Sequence, residues 1–131
     1  MFIQLDLESS EPIYIQLRNQ IIEGIAKKKL HPGDPLPSVR SLAADIGINL
    51  HTVNKAYQQL KQEGYILIHR QKGVVVNPDG FPKADNKYRK QLRNSLHPLI
   101  SNSISRELSE EEFTKVCTDI FKEFAKEGEN E

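Results

Sequence analysis

The sequence predicts a mainly α-helical chain carrying one small β-hairpin, and three observations support that expectation. Apolar residues recur at three- and four-residue intervals in five separate stretches, the spacing of a helix with one buried face. Directly after Gly64 the pattern changes to two short runs rich in β-branched residues. Glycine and proline clusters, which suit the interior of neither element, stand between these stretches.

At the N-terminus, Phe2-Ile3-Gln4-Leu5-Asp6-Leu7 puts Ile3, Leu5 and Leu7 on one side of an extended segment, a short strand or arm. Ser9-Ser10-Glu11-Pro12 reads as a helix start, with a serine cap, an early acid and a proline in the first turn. Leu17, Ile21 and Ile25 share one face of this first helix, flanked by Tyr14 and Ile22, and it ends near Lys28 or Lys29. The stretch His31-Pro32-Gly33-Asp34-Pro35-Leu36-Pro37 is too rich in proline to be helical. A second, short helix opens on the Ser38 cap, buries Val39, Leu42, Ala43 and Ile46, and stops at Gly47. The third follows Ile48-Asn49, buries Val53, Ala56, Tyr57 and Leu60, and ends at Gly64.

Tyr65 to His69 and Val74 to Val76 then form a two-stranded hairpin with a basic tip, Arg70-Gln71-Lys72-Gly73. Asn77-Pro78-Asp79-Gly80-Phe81-Pro82 is a turn-rich linker. Beyond it Tyr88, Leu92, Leu96, Leu99, Ile100 and Ile104 form a helical stripe through about Leu108, which Pro98 either kinks or divides. Ser109-Glu110-Glu111-Glu112 is a capping box. It launches a last helix with Phe113, Val116, Cys117, Ile120, Phe121 and Phe124 on one face, fraying from Gly128 onward. The expected division is a domain over residues 1–79 and a helical tail over 80–131.

Helix, short helix, glycine turn, helix and hairpin is the order of a winged helix-turn-helix. In that fold the third helix enters the major groove, which is wide enough to admit it. Removing the buried positions of this helix leaves Asn49, Leu50, His51, Thr52, Asn54 and Lys55 for the groove. Asparagine, threonine and histidine carry donors and acceptors suited to base edges and phosphates. The tip residues Arg70, Gln71 and Lys72 are placed to reach an adjacent groove or the backbone.

The ordered string Pro12-Ile13-Tyr14-Ile15-Gln16-Leu17, Pro32-Gly33-Asp34-Pro35-Leu36-Pro37-Ser38-Val39-Arg40, Leu42-Ala43 and Gly47-Ile48-Asn49 continues through Thr52-Val53-Asn54-Lys55-Ala56-Tyr57, Leu60 and Glu63-Gly64-Tyr65-Ile66. It resembles the GntR family of bacterial transcription regulators over about residues 10 to 77. The resemblance implies that Arg40 contacts DNA from the start of the second helix. It also implies that Asn49, Leu50, His51, Thr52 and Asn54 sit in the groove, and that Arg70 and Gln71 reach the minor groove. Two departures stand out. Gln71 and Val74 replace a glycine and a threonine usual in the wing, and the third helix lacks an arginine that some relatives use. Base preference therefore does not carry over.

The short two-helix tail resembles that of the YtrA-type subfamily, in which the tail mainly dimerises. Leu92, Leu96, Leu99, Ile100, Phe113, Ile120, Phe121 and Phe124 are the residues expected to do so. Two short helices cannot bury broad apolar faces alone, which agrees with that role. The implied protein is a cytoplasmic homodimer that binds an inverted repeat in double-stranded DNA, most simply as a repressor. The resemblance leaves room for a small-molecule effector of unknown identity, but the tail carries no pocket signature for one. A winged helix can instead serve as a protein–protein interaction module, a role that dispenses with the basic wing and polar groove face present here.

Other chemistry has little footing. One cysteine excludes an intrachain disulfide framework and a thiolate-rich metal site, and His31, His51, His69 and His97 lack ligand spacing. No metal or cofactor is expected. No phosphate loop, nucleophile elbow or catalytic triad appears, so the chain does not read as an enzyme. No apolar run approaches the roughly 18 residues of a membrane span, and no secretory signal opens the chain. Cys117 reads as a structural thiol on an apolar stripe. Arg40 has Asp34 and Asp45 as alternative partners, and Asn49 doubles as a helix cap.

The formal net charge of zero, from 18 basic and 18 acidic residues, hides a division along the chain. Residues 38–77 hold five basic and two acidic residues, and 81–106 six and one, whereas 107–131 hold three basic and nine acidic ones. Neutrality excludes a uniformly basic protein but not a nucleic-acid-binding unit.

Overall fold

The computed structural model describes residues 3–129. They form two compact units, one running to Pro82 and the other starting at Lys83.

The first unit contains α1 (Ile13–Ala26), β1 (Pro35–Leu36), α2 (Val39–Ile46), α3 (Leu50–Gln62), β2 (Ile66–His69) and β3 (Gly73–Val76). Its core takes Leu17 and Ile21 from α1, Leu42 and Ala43 from α2, and Val53, Ala56, Tyr57 and Leu60 from α3. The sheet adds Leu36, Ile66, Val74 and Val76. Alternation along β3, with Val74 and Val76 inward, and helical spacing along α3 thus bury one face of each element. At the far end of α3, the Arg18 guanidinium of α1 grips Glu63 with Nη2–Oε2 at 2.5 Å and Nε–Oε1 at 3.3 Å.

Four details of this unit correct or sharpen the sequence expectation. First, α1 opens later than its serines suggest. A residue before proline is steered away from helical geometry, so Glu11 cannot begin the helix. Pro12 becomes the flanking residue, and the Ser9 hydroxyl instead accepts from the Glu11 amide at 3.1 Å.

Second, of the strand or arm expected at the N-terminus, the arm is what forms. Glutamines of α1 take up its backbone groups. Gln16 Oε1 accepts from the Asp6 amide at 2.9 Å, while its Nε2 donates to the Asp6 and Glu11 carbonyls at 3.0 and 2.9 Å. Gln20 holds Gln4 in the same two-sided way, with its Oε1 accepting from the Gln4 amide at 2.8 Å. Phe2, assigned to the same segment, lies outside the described residues.

Third, the hairpin gains a partner. Pro35 and Leu36 pair antiparallel with Val75 and Val74, giving a three-stranded sheet of order β1-β3-β2. Proline is compatible with strand structure on an edge, where its missing donor faces away from the ladder. The prolines that exclude a helix here therefore do not exclude a strand. Fourth, Phe81 stays with the first unit, its ring 6.1 Å from that of Tyr65, so the unit runs past the expected boundary at residue 79.

The second unit holds α4 (Asn86–Ser105) and α5 (Glu110–Glu129). Asp85 caps α4 by accepting from the Tyr88 amide at 2.8 Å. Pro98 lies inside one continuous helix and does not divide it. The helix stops at Ser105, short of Leu108, because Glu107 turns left-handed and the Leu108 amide bonds back to the Ser103 carbonyl at 3.0 Å. The capping box forms in both directions: Ser109 Oγ accepts from Glu112 N at 3.0 Å, and Glu112 Oε1 accepts from Ser109 N at 3.2 Å. α5 continues through Gly128 to Glu129, where the sequence predicts fraying. One glycine costs a helix about 1 kcal/mol relative to alanine, too little to end a long one. Residues 130–131, also expected to fray, lie outside the described residues. No helix among the described residues is long and apolar enough to cross a membrane.

Candidate nucleic-acid interface

The turn between α2 and α3 fixes the first feature of the interface. Ser38 caps α2 by accepting from Ser41 N at 3.0 Å, and Gly47 ends it at φ +69°. That left-handed conformation lets the Ile48 amide return to the Ala43 carbonyl at 3.0 Å. Asn49 then caps α3, its Oδ1 accepting from His51 N at 2.7 Å. The cap consumes the carbonyl end of the side chain and leaves its amide end to donate outward.

On α3 the division between inside and outside is sharp. Val53, Ala56, Tyr57 and Leu60 are fully buried, whereas Asn49, Leu50, His51, Asn54 and Lys55 are exposed. Thr52 is half-buried, so its hydroxyl is less free than its neighbours. Arg40, in the first turn of α2, is exposed and forms no ion pair among the described residues. The alternative pairing with Asp34 or Asp45 is not made.

The hairpin tip supplies the second feature. His69 pairs with Gly73 across the ladder, leaving Arg70, Gln71 and Lys72 as a three-residue loop, all exposed. Gly73 sits at φ +73°, the conformation such a loop needs where it re-enters the strand.

Two contacts behind this surface have no signal in the local sequence. The Lys55 ammonium stacks over the Tyr14 ring of α1, 4.0 Å from its centroid. Tyr57 donates from its hydroxyl to the Pro37 carbonyl at 2.8 Å, tying α3 to the residue before the Ser38 cap. Burial pushes the Tyr57 phenol above its ordinary range. Tyr14 and Tyr57 read in the sequence as flanking and core residues, and no local spacing pairs them with Lys55 or Pro37.

The tail presents apolar surface. Leu92, Leu99 and Ile100 of α4 are exposed, as are Val116, Ile120 and Phe121 of α5, with Phe121 at 77%. Leu96, Phe113 and Phe124 are half-buried, and α4 buries no residue fully. A groove of about 410 Å³ runs along α4 between Leu92, Leu96, Ile100 and Ile104, edged by Arg89 and Arg93.

A capped α2, a left-handed glycine turn, a polar-faced α3 and a basic-tipped hairpin define a winged helix-turn-helix DNA-binding domain. Residues 10–76 match the family model described as bacterial regulatory proteins, gntR family. The chain is 47% identical over 98 residues to the HTH-type transcriptional repressor YtrA of Bacillus subtilis, covering 75% of each protein. It is also 43% identical over 103 residues to the pyridoxine biosynthesis regulator PdxR of Corynebacterium glutamicum, a longer protein of which it spans 23%. Among solved structures, YtrA from Sulfolobus acidocaldarius superposes with a TM-score of 0.62 at 43% identity, covering 76% of this chain and 97% of that one. A transcriptional antiterminator from Listeria monocytogenes gives a TM-score of 0.87 at 27% identity, covering 95% and 92%.

The chain belongs to the GntR family, in its YtrA-type subfamily. It is a transcriptional regulator with a winged-helix DNA-binding domain, and its relatives are regulators, not enzymes.

Proposed function

We propose that this regulator binds an inverted-repeat operator as a homodimer in the cytoplasm, represses transcription from it, and catalyses no reaction. The reading is carried by the exposed polar side chains Asn49, His51 and Asn54 at the start of α3, set over the fully buried face of Val53, Ala56, Tyr57 and Leu60. In this role Arg40 and the tip residues Arg70, Gln71 and Lys72 hold phosphates or the adjacent groove, while Asn49, Leu50, His51, Thr52 and Asn54 face base edges and Lys55 the backbone. The apolar faces of α4 and α5 supply the self-association. Leu92, Leu96, Leu99, Ile100, Phe113, Ile120, Phe121 and Phe124 then pack against a second copy. Two copies related by a twofold axis require two half-sites related in the same way. Repression follows the name of the Bacillus subtilis relative.

Fluorescence anisotropy against genomic fragments, run beside random duplex of equal length, tests the proposal. Specific fragments should bind at least a thousandfold more tightly, the lower end of specificity ratios for such proteins, about 10³–10⁷. Equal affinity for random DNA refutes it.

A further inference from the structure

Among the described large apolar residues of the first unit, Leu7, Leu50 and Ile68 are exposed, and of these only Leu50 belongs to α3. It occupies the first position of that helix, between the Asn49 cap and His51, and is 38% exposed. The other large apolar residues of the helix, Val53, Tyr57 and Leu60, are wholly inside. Leu50 is thus only partly covered by the core and stands beside the exposed polar side chains Asn49, His51 and Asn54. Asn54 lies one turn further along, where i and i+4 residues share a face, and it is also exposed.

An apolar side chain on a groove-facing surface has one apolar feature to meet in the major groove, the 5-methyl group of thymine. Above cytosine the same side chain covers an amino donor and offers it no acceptor, which is unfavourable. We infer that Leu50 is a specificity-determining residue that reads the thymine methyl of one A·T pair in each half-site. This inference rests on the DNA reading of α3 proposed above and adds what one position recognises.

The test uses the full chain and duplexes enriched by it from a randomised pool. Each thymine of an enriched duplex is replaced in turn by uracil, which removes only the methyl. Wild-type affinity should fall about fourfold at one thymine per half-site, the value of one buried methyl-sized group. Exchange of that T·A pair for C·G should cost about fivefold or more, as an ordinary mismatch does. The Leu50→Ala variant should bind the thymine and uracil duplexes equally, with an unchanged circular dichroism spectrum. Indifference of the wild type to uracil at every position overturns the inference, and needs no variant. So does a Leu50→Ala protein that keeps the wild-type thymine preference. A pool from which nothing is enriched overturns the DNA reading itself, whereas enrichment with no methyl effect overturns only the role of Leu50.

Discussion

Lys55 of α3 and Tyr14 of α1 form a cation–π pair, the ammonium 4.0 Å from the ring centroid. Lys55 is exposed, so the ring does not neutralise its charge but restricts where the charge sits. A lysine offered to a phosphate from a fixed position loses less side-chain entropy on binding than a free one.

Tyr14→Ala should therefore weaken operator binding by about two- to fivefold, the value of an exposed cation–π contact of about 0.5–1 kcal/mol. Tyr14→Phe keeps the ring and should bind as the wild type does. Lys55 stays charged in both variants, so the salt dependence of binding should not change. Anisotropy titrations at several salt concentrations distinguish these outcomes. Equal affinities for the alanine and phenylalanine variants would remove the ring from the account.

The hydroxyl of Tyr57 carries a second expectation, about stability and pH. Tyr57→Phe should lower stability by about 1 kcal/mol, since the Pro37 carbonyl loses its donor. Burial raises the folded phenol above its ordinary value near 10, while the unfolded chain titrates close to that value. The neutral phenol's contribution is thus complete below pH about 10 and is lost progressively as pH rises above it. Urea unfolding between pH 8 and 11 should show wild-type stability falling by up to about 1.4 kcal/mol per pH unit at the alkaline end. Tyr57→Phe should lack that component of the fall. Parallel curves for the two proteins would contradict the assignment.

These two tyrosines also mark how far the sequence could be read. Helix-forming stripes, the Ser38 and Asn49 caps, the Gly47 turn and the Ser109 capping box are all local, and each is encoded within a few residues. The positions facing outward on α3 largely follow from the same periodicity, since apart from the half-buried Thr52 and Gln59 the residues between Val53, Ala56, Tyr57 and Leu60 and before them are exposed. β1 escaped because its two residues become a strand only by pairing with Val74 and Val75, far along the chain. The N-terminal segment reads as strand or arm from its own residues, and only tertiary bonds decide for the arm: Gln4 and Asp6 are held by Gln20 and Gln16 and not by a neighbouring strand. Lys55 on Tyr14 is likewise a tertiary contact, with no counterpart in local spacing.

Arg40 and Arg70 are exposed, and neither forms an ion pair among the described residues. If each neutralises one phosphate, Arg40→Ala and Arg70→Ala should each reduce the slope of log affinity against log salt by about 0.9. Affinity should fall across all duplexes alike, because phosphates carry no sequence information. An unchanged slope in either variant assigns that arginine elsewhere.

Self-association can be tested at a residue that costs the fold little. Phe121 is 77% exposed, so replacing it removes almost no burial within α5's own chain. Phe121→Glu places a charge on the apolar face in a helix that already accepts glutamate, and should leave helix content unchanged. Against a second copy, the same charge would be buried without a partner. Light scattering at equal concentration should then show a dimer for the wild type and a monomer for the variant. Operator affinity should fall with it, because the second half-site is no longer held at high effective concentration. A single half-site should still bind the variant as well as the wild type, since the first unit has its own core. A Phe121→Glu protein that remains dimeric excludes this face of α5 from the interface.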